Sequence, residues 1–80
     1  MNTKEAINLI ENERERQKTL TFNGVPSEKW DRTNNIDNWV SYITTYVGKC
    51  GTAAVNNNEN IIRNLVKVGA LAIAALENLG

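Results

Sequence analysis

The sequence predicts an all-α fold: a compact bundle of three helices, with a long ordered loop between the first and second, assembled into a homo-oligomer. Three observations lead there. Apolar residues recur at spacings of three and four in three separate segments. The only proline, Pro26, and the Asn23-Gly24 pair both fall between the first two segments. At 80 residues the chain is a single domain burying only roughly 60–65% of its unfolded surface, and such small, unstapled domains often gain stability by association.

The first helix is expected over about residues 3–18. Asn2, followed by Glu5 three residues on, resembles a capping box. Ala6, Ile7, Leu9 and Ile10 share one helical face. From Thr19 to Thr33, "TLTFNGVPSEKWDRT" reads as a loop, because Asn23-Gly24 signals a turn and Pro26 blocks helix continuation. Leu20, Phe22, Val25 and Trp30 would pin it to the body, and a loop of this length in a small domain tends to be functional.

The second helix is expected over about 35–48. Asn34 or Asn35 can cap it, and Asp37 suits its first turn. Ile36, Trp39, Val40, Ile43 and Val47 supply its apolar face. Several β-branched residues make a strand the rival, but spacings of three and four favour helix. The Gly- and Asn-rich stretch from Gly48 to Asn58 reads as a connection. The third helix, about 58–79, is capped by Asn57 or Asn58. Its stripe is Ile62, Leu65, Gly69, Ala72, Ile73, Leu76 and Leu79, with Val68, Leu71 and Ala75 as a second apolar line. Gly69, with Ala72 nearby, suggests the close approach of another backbone. Two apolar sides call for two partners: the bundle itself and a second subunit.

Composition narrows the function classes. The formal net charge is zero, so no global field attracts a nucleic-acid polymer or a membrane. The longest apolar run, Val68 to Leu76, is far shorter than a membrane span. The N-terminus lacks a signal-peptide layout. Cys50 is the only cysteine and there is no histidine, so a one-chain zinc site is implausible and Cys50 reads as a packing residue. A soluble, cytoplasmic protein is the expectation.

One stretch, "NERERQKTL", breaks the pattern. The line Ile7, Ile10, Arg14, Gln17, Thr21 carries the apolar face of the first helix onward into polar residues. If Arg14 points inward it needs a partner, because a buried guanidinium is expensive unless it is paired. A carboxylate of the fold, Asp31 or Asp37, could serve, and so could an anionic ligand. The alternative is a solvated helix end carrying weak surface ion pairs.

These residues also match a recurring pattern. Small phage-encoded helical proteins carry an ERxRQ element, then HDDxHxxGELxxAAxxY, then a final helix resembling RxLVKxGALxxAxxExL. Nearly the whole chain resembles them. Glu13, Arg14, Arg16 and Gln17 match the first element; Tyr46 closes the second; Arg63, Leu65, Val66, Lys67, Gly69, Ala70, Leu71, Ala74, Glu77 and Leu79 match the last. The middle element departs: Trp30 stands at the first His, Asp31 keeps the first Asp, Arg32 replaces the second, Asn34 stands at the second His and Asn38 at the Glu. The layout is distantly similar to MazG-type all-α nucleotide pyrophosphatases, whose clustered carboxylates hold Mg²⁺ on a triphosphate. Exchanging carboxylates for Arg and Asn weakens metal binding and favours anions. Glu11, Glu13 and Glu15 alternate, which spreads them around the helix.

The resemblance implies a nucleotide pocket. Arg14, Arg16, Arg32, Arg63 and Lys67 could donate to phosphates. Trp30 and Tyr46, with Trp39 and Tyr42, offer faces for stacking a base. Gln17, Asp31, Asn34 and Asn38 complete the expected ligand-binding set, with Arg63 and Lys67 reaching a pocket shared between subunits. No catalytic residue, metal or cofactor is expected. The expected function is a phage-encoded binding protein in the host bacterial cytoplasm that sequesters a nucleotide-derived immune signal. The alternatives are a divergent Mg²⁺-dependent nucleotide pyrophosphatase using Glu11, Glu15 and Asp31 or Asp37, and an inhibitor of a host enzyme acting through the Ala-rich third helix.

Overall fold

A computed structural model describes residues 1–55 and 60–80. Helix α1 (Thr3–Lys18) opens on a reciprocal capping box: the Glu5 amide donates to Asn2 Oδ1 at 2.8 Å, and the Asn2 amide donates to Glu5 Oε1 at 3.2 Å. These are the bonds that the Asn2–Glu5 spacing foretells. It closes at Thr19, whose hydroxyl donates to the Arg16 carbonyl at 2.6 Å.

The connecting segment is more regular than a loop. Strands β1 (Thr21–Phe22) and β2 (Val25–Pro26) pair antiparallel across Asn23-Gly24. Both turn residues have positive φ, 51° at Asn23 and 78° at Gly24, the geometry that favours Asn-Gly in two-residue hairpins. Pro26 then precedes a short helix, α2 (Ser27–Arg32), as a proline at a helix start can.

Helix α3 (Ile36–Val55) outruns its expected end. Gly48 and Gly51 lie inside it, and a Cβ on either would meet nothing within 4 Å. Two glycines cost about 1 kcal/mol each in a helix interior, but the packing of α3 along α4 overrides that weak local preference. At its start, Asn35 and Asn38 cap each other's amides, at 2.9 and 3.0 Å. Helix α4 (Asn60–Leu79) lies against both α1 and α3 and is the central element. The expected cap at Asn57 or Asn58 lies outside the described residues.

Of the two apolar sides expected on α4, the one turned inward carries Leu71 and Ala75 of the second line together with small residues beside it. Ala70, Ala74 and Ala75 are buried, and Ala74 and Ala75 pack with Leu71 against Trp39 and Tyr42 of α3. Of the larger members of the expected stripe, Ile62, Leu65, Leu76 and Leu79 are exposed and Ile73 is partly buried. Bulky Trp39 explains the exchange: a large indole on α3 needs small partners opposite, and only the alanine line leaves room for it. Ile7 is likewise half exposed, whereas Ile10 reaches α4. A Cβ at Gly69 would sit 2.8 Å from Ile10 Cδ1, so what comes close there is a side chain and not a second backbone. Among the described residues, no helix is long and apolar enough to cross a membrane.

Candidate functional site

Arg14 does point inward, and its residue is 6% exposed. The fold itself supplies its partners. Its Nη2 donates to Asp31 Oδ2 at 3.2 Å, tying α1 to α2. Its Nε donates to Glu77 Oε1 at 2.8 Å, tying α1 to the end of α4. Asp31 is one of the two carboxylates expected to serve; Asp37 does not, and Glu77 went unrecognised. Arg14 therefore joins three helices and does not wait for an outside anion.

The two carboxylates respond oppositely. Burial pushes the Asp31 carboxyl above its ordinary value, more than Arg14 pulls it down. The Arg14 hydrogen bond holds Glu77 below its ordinary value, and Lys18, 3.8 Å away, adds to the pull. Ionised Asp31 is thus tolerated because Arg14 is there, while the more exposed Glu77 keeps part of its hydration.

Beside this network lies a cavity of about 320 Å³, at the small end of the range for ligand pockets. Its walls come from α1, the hairpin, α2, α3 and α4. Phe22 and Trp30 meet with ring centroids 5.5 Å apart, and the edge of one of the Trp39 and Tyr42 rings faces the other at 6.1 Å. Leu20, Leu71 and Ala74 add apolar surface. Of the expected residues, Arg14, Arg16, Gln17, Trp30, Asp31, Asn34, Tyr46 and Lys67 line this cavity.

Three expected residues do not. Arg32 lies on the other side of Asp31, in a polar cleft of about 340 Å³, and pairs with Glu28 at 2.7 Å. Asn38 spends its side-chain oxygen on the α3 cap. Arg63 is exposed on α4, one turn before Lys67, and is not part of the lining. Arg16, which does line the cavity, holds Glu13 in a fork at 2.7 and 2.9 Å; this keeps the Glu13 carboxyl low and raises the guanidinium.

Lys67 remains as the cation facing the cavity that has no ion pair among the described residues. Its ammonium lies 5.4 Å from the Tyr46 ring centroid, and Lys49 approaches the same ring at 4.4 Å. Such contacts contribute about 0.5–1 kcal/mol at exposed sites and leave the ammonium able to meet an anion. The cavity thus combines flat apolar walls with one cationic side.

Two donors in the lining are unsatisfied. Trp39 Nε1 and Asn34 Nδ2 are buried without a hydrogen-bond partner among the described residues. Each such group costs about 1–3 kcal/mol. Asn34 Oδ1 is engaged, accepting from the Tyr42 hydroxyl at 3.4 Å. The sequence offered Trp39 as part of an apolar helix face and as a stacking face, Tyr42 as a stacking face alone, and Glu77 only as a position in the last pattern element. What could have flagged Glu77 was the need of an inward Arg14 for more than one carboxylate.

Among the described residues, no three His, Cys, Asp or Glu side chains stand close enough to share a metal ion. No protein-family model, curated protein or solved structure matches the chain.

Proposed function

We propose that this chain is a phage-encoded, non-catalytic binding protein that sequesters a nucleotide-derived signalling molecule of bacterial immunity. One juxtaposition carries the reading: a cavity walled by Phe22, Trp30, Trp39, Tyr42 and Tyr46, with the ammonium of Lys67, which makes no ion pair among the described residues, on one side. Aromatic walls take a base by stacking, and an ammonium takes a phosphate. The phage setting comes from the resemblance of the ERxRQ and LVKxGAL elements. Binding needs no general base here, and the cavity carboxylates Glu13 and Asp31 are already committed to Arg16 and Arg14.

The pyrophosphatase alternative requires Glu11, Glu15 and Asp31 or Asp37 to converge. Asp31 faces Arg14, and Glu15 pairs with Lys18 at 3.2 Å. Inhibition of a host enzyme through the alanines of α4 is supported less, because Ala70, Ala74 and Ala75 form the core.

Assembly of several copies belongs to the same proposal. The chain exposes 5682 Å², against about 4800 Å² for a typical compact monomer of 8.9 kDa. Ile36, Val40 and Val47 of α3 and Ile62, Leu65, Leu76 and Leu79 of α4 contribute to that excess. Native mass spectrometry of protein purified from cells would report subunit number and any retained ligand together.

The functional test is calorimetry against linear nucleotides, cyclic oligonucleotides and ADP-ribose derivatives, with chromatography of the recovered ligand. Binding followed by release of intact ligand supports sequestration. Lys67→Met should weaken binding of anionic ligands roughly 10-fold. Silence across the whole panel removes the reading.

A further inference from the structure

Helix α4 turns two different sides to its surroundings. Lys67 and Ala74 line the cavity. Leu65 and Leu76 each stand two positions from one of them, about half a turn round a helix of 3.6 residues per turn, and are 55% and 74% exposed. They belong to a line spaced strictly by three and four: Ile62, Leu65, Gly69, Ala72, Leu76 and Leu79. That is the seam spacing with which one helix packs along another. Its four large members are exposed, while Gly69 and Ala72 at its middle are partly buried. The seam holds no charge, because Arg63, Lys67 and Glu77 stand elsewhere round α4. On neighbouring α3, Ile36, Val40, Ile43 and Val47 repeat the spacing, and all but Ile43 are exposed.

Taken from either end, the seam runs large, large, small, small, large, large. We infer that α4 pairs with α4 of a second copy, antiparallel, about a two-fold axis between Ala70 and Leu71. Each contact then occurs twice across the interface: Ile62 with Leu79, Leu65 with Leu76, and Gly69 with Ala72. The small pair lets the helices approach at the crossing, bordered by Ile10, which packs on Gly69 from α1. The large pairs close over both ends. Antiparallel packing also sets the positive end of each helix dipole beside the negative end of the other. The area fits a dimer. The chain exposes about 900 Å² more than a compact monomer of its mass, and a standard interface takes about 800 Å² from each partner. A lipid surface is a poorer occupant, because it wants basic residues flanking the apolar line, and Arg63 and Lys67 lie half a turn away from Leu65. Each copy keeps a whole cavity facing away from the axis, so Lys67 serves its own subunit alone. This inference goes beyond assembly of several copies by fixing their number and contact, and it does not depend on what the cavity binds.

Sedimentation equilibrium tests it, with far-UV circular dichroism checking the helicity of each variant. The unaltered chain should have the mass of a dimer. Leu65→Glu or Leu76→Lys alone would bury an unpaired charge and should raise the dissociation constant at least about 10-fold. Combined in one chain, the two should dimerise at least about 10-fold more tightly than either single variant, because position 65 faces position 76 across the axis. Within one chain these positions are about 16 Å apart along the helix and cannot pair. If a charged variant loses its helicity, Leu76→Ala replaces it and should weaken the dimer at least about 10-fold, since the change occurs twice in each dimer. A chain that stays monomeric at about 1 mM overturns the inference. An assembly that neither Leu76→Lys nor Leu76→Ala weakens overturns it too. So does a combined variant no tighter than the single ones, because parallel helices would set like charges together.

Discussion

Replacing Arg14 by Met tests the internal network most directly. The substitution keeps an unbranched side chain of similar reach and removes the guanidinium. Asp31, 7% exposed, would then be a buried carboxylate without its cation, whereas Glu77 could turn to water or Lys18. Removing one partner of a buried pair costs about 3–5 kcal/mol. A chain of 80 residues has a total stability of about 4–12 kcal/mol, so the loss is a large part of the whole. Asp31→Asn should behave differently. Burial of this carboxylate outweighs the attraction of Arg14, and Arg14 keeps Glu77 at 2.8 Å. The expected cost is therefore no more than about 2 kcal/mol, the scale of one charged hydrogen bond less the relief of desolvation. Combining both substitutions should recover at least about 1 kcal/mol over Arg14→Met alone, because the stranded charge is gone. Urea denaturation at neutral pH, followed by far-UV circular dichroism at one fixed protein concentration, measures all four proteins. If Asp31→Asn is as damaging as Arg14→Met, or Arg14→Met stays within about 1 kcal/mol of the unaltered chain, the account of Arg14 as a buried three-helix tie is wrong.

Acid should act through two opposing groups. Glu77 and Glu13 are held below their ordinary values, so their stabilisation is present above about pH 4.5 and is lost as the pH falls through their folded values. Asp31 is raised, so its protonation favours the folded state, and that gain disappears as the pH rises through its folded value. Urea midpoints between pH 3 and 6 should consequently fall more steeply with acid in Asp31→Asn and less steeply in Glu77→Gln; the reverse order would refute the assignment. Gly69→Ala should gain about 1 kcal/mol of helix propensity but meet three Ile10 atoms within 3.3 Å, an overpacking cost of about 1–3 kcal/mol. A net loss of up to about 2 kcal/mol is expected, partly reversed by Ile10→Val, which removes the atom at 2.8 Å; thermal unfolding of the single and double variants would show it.

Much of the secondary structure was legible in the residues because it depends on near neighbours. The Asn2–Glu5 cap, the Asn23-Gly24 turn and the end of α1 near Lys18 are each made within a few positions of chain. Helical spacing places Arg14 in line with Ile10 and so raised its inward direction, but Ile7 on the same line is half exposed, and spacing alone left a solvated helix end as the alternative. Less visible were the features whose cause lies elsewhere. The extension of α3 past Gly48 accompanies its packing along α4, and α2 forms where the segment touches both α1 and α4.

Sequence by itself thus determined that this protein is mostly helical and where its Asn23-Gly24 turn and first cap fall, and it raised Arg14 as a candidate inward cation without deciding its direction. Tertiary structure alone decided which side of α4 is buried, that Glu77 shares Arg14 with Asp31, and that Trp39 and Asn34, each with a buried donor unmatched among the described residues, stand at one aromatic cavity. The physical reason is range. Caps, turns and periodicity are set by bonds a few residues apart. A helix with two apolar sides has no local preference between them until a distant tryptophan needs the space that only alanine leaves.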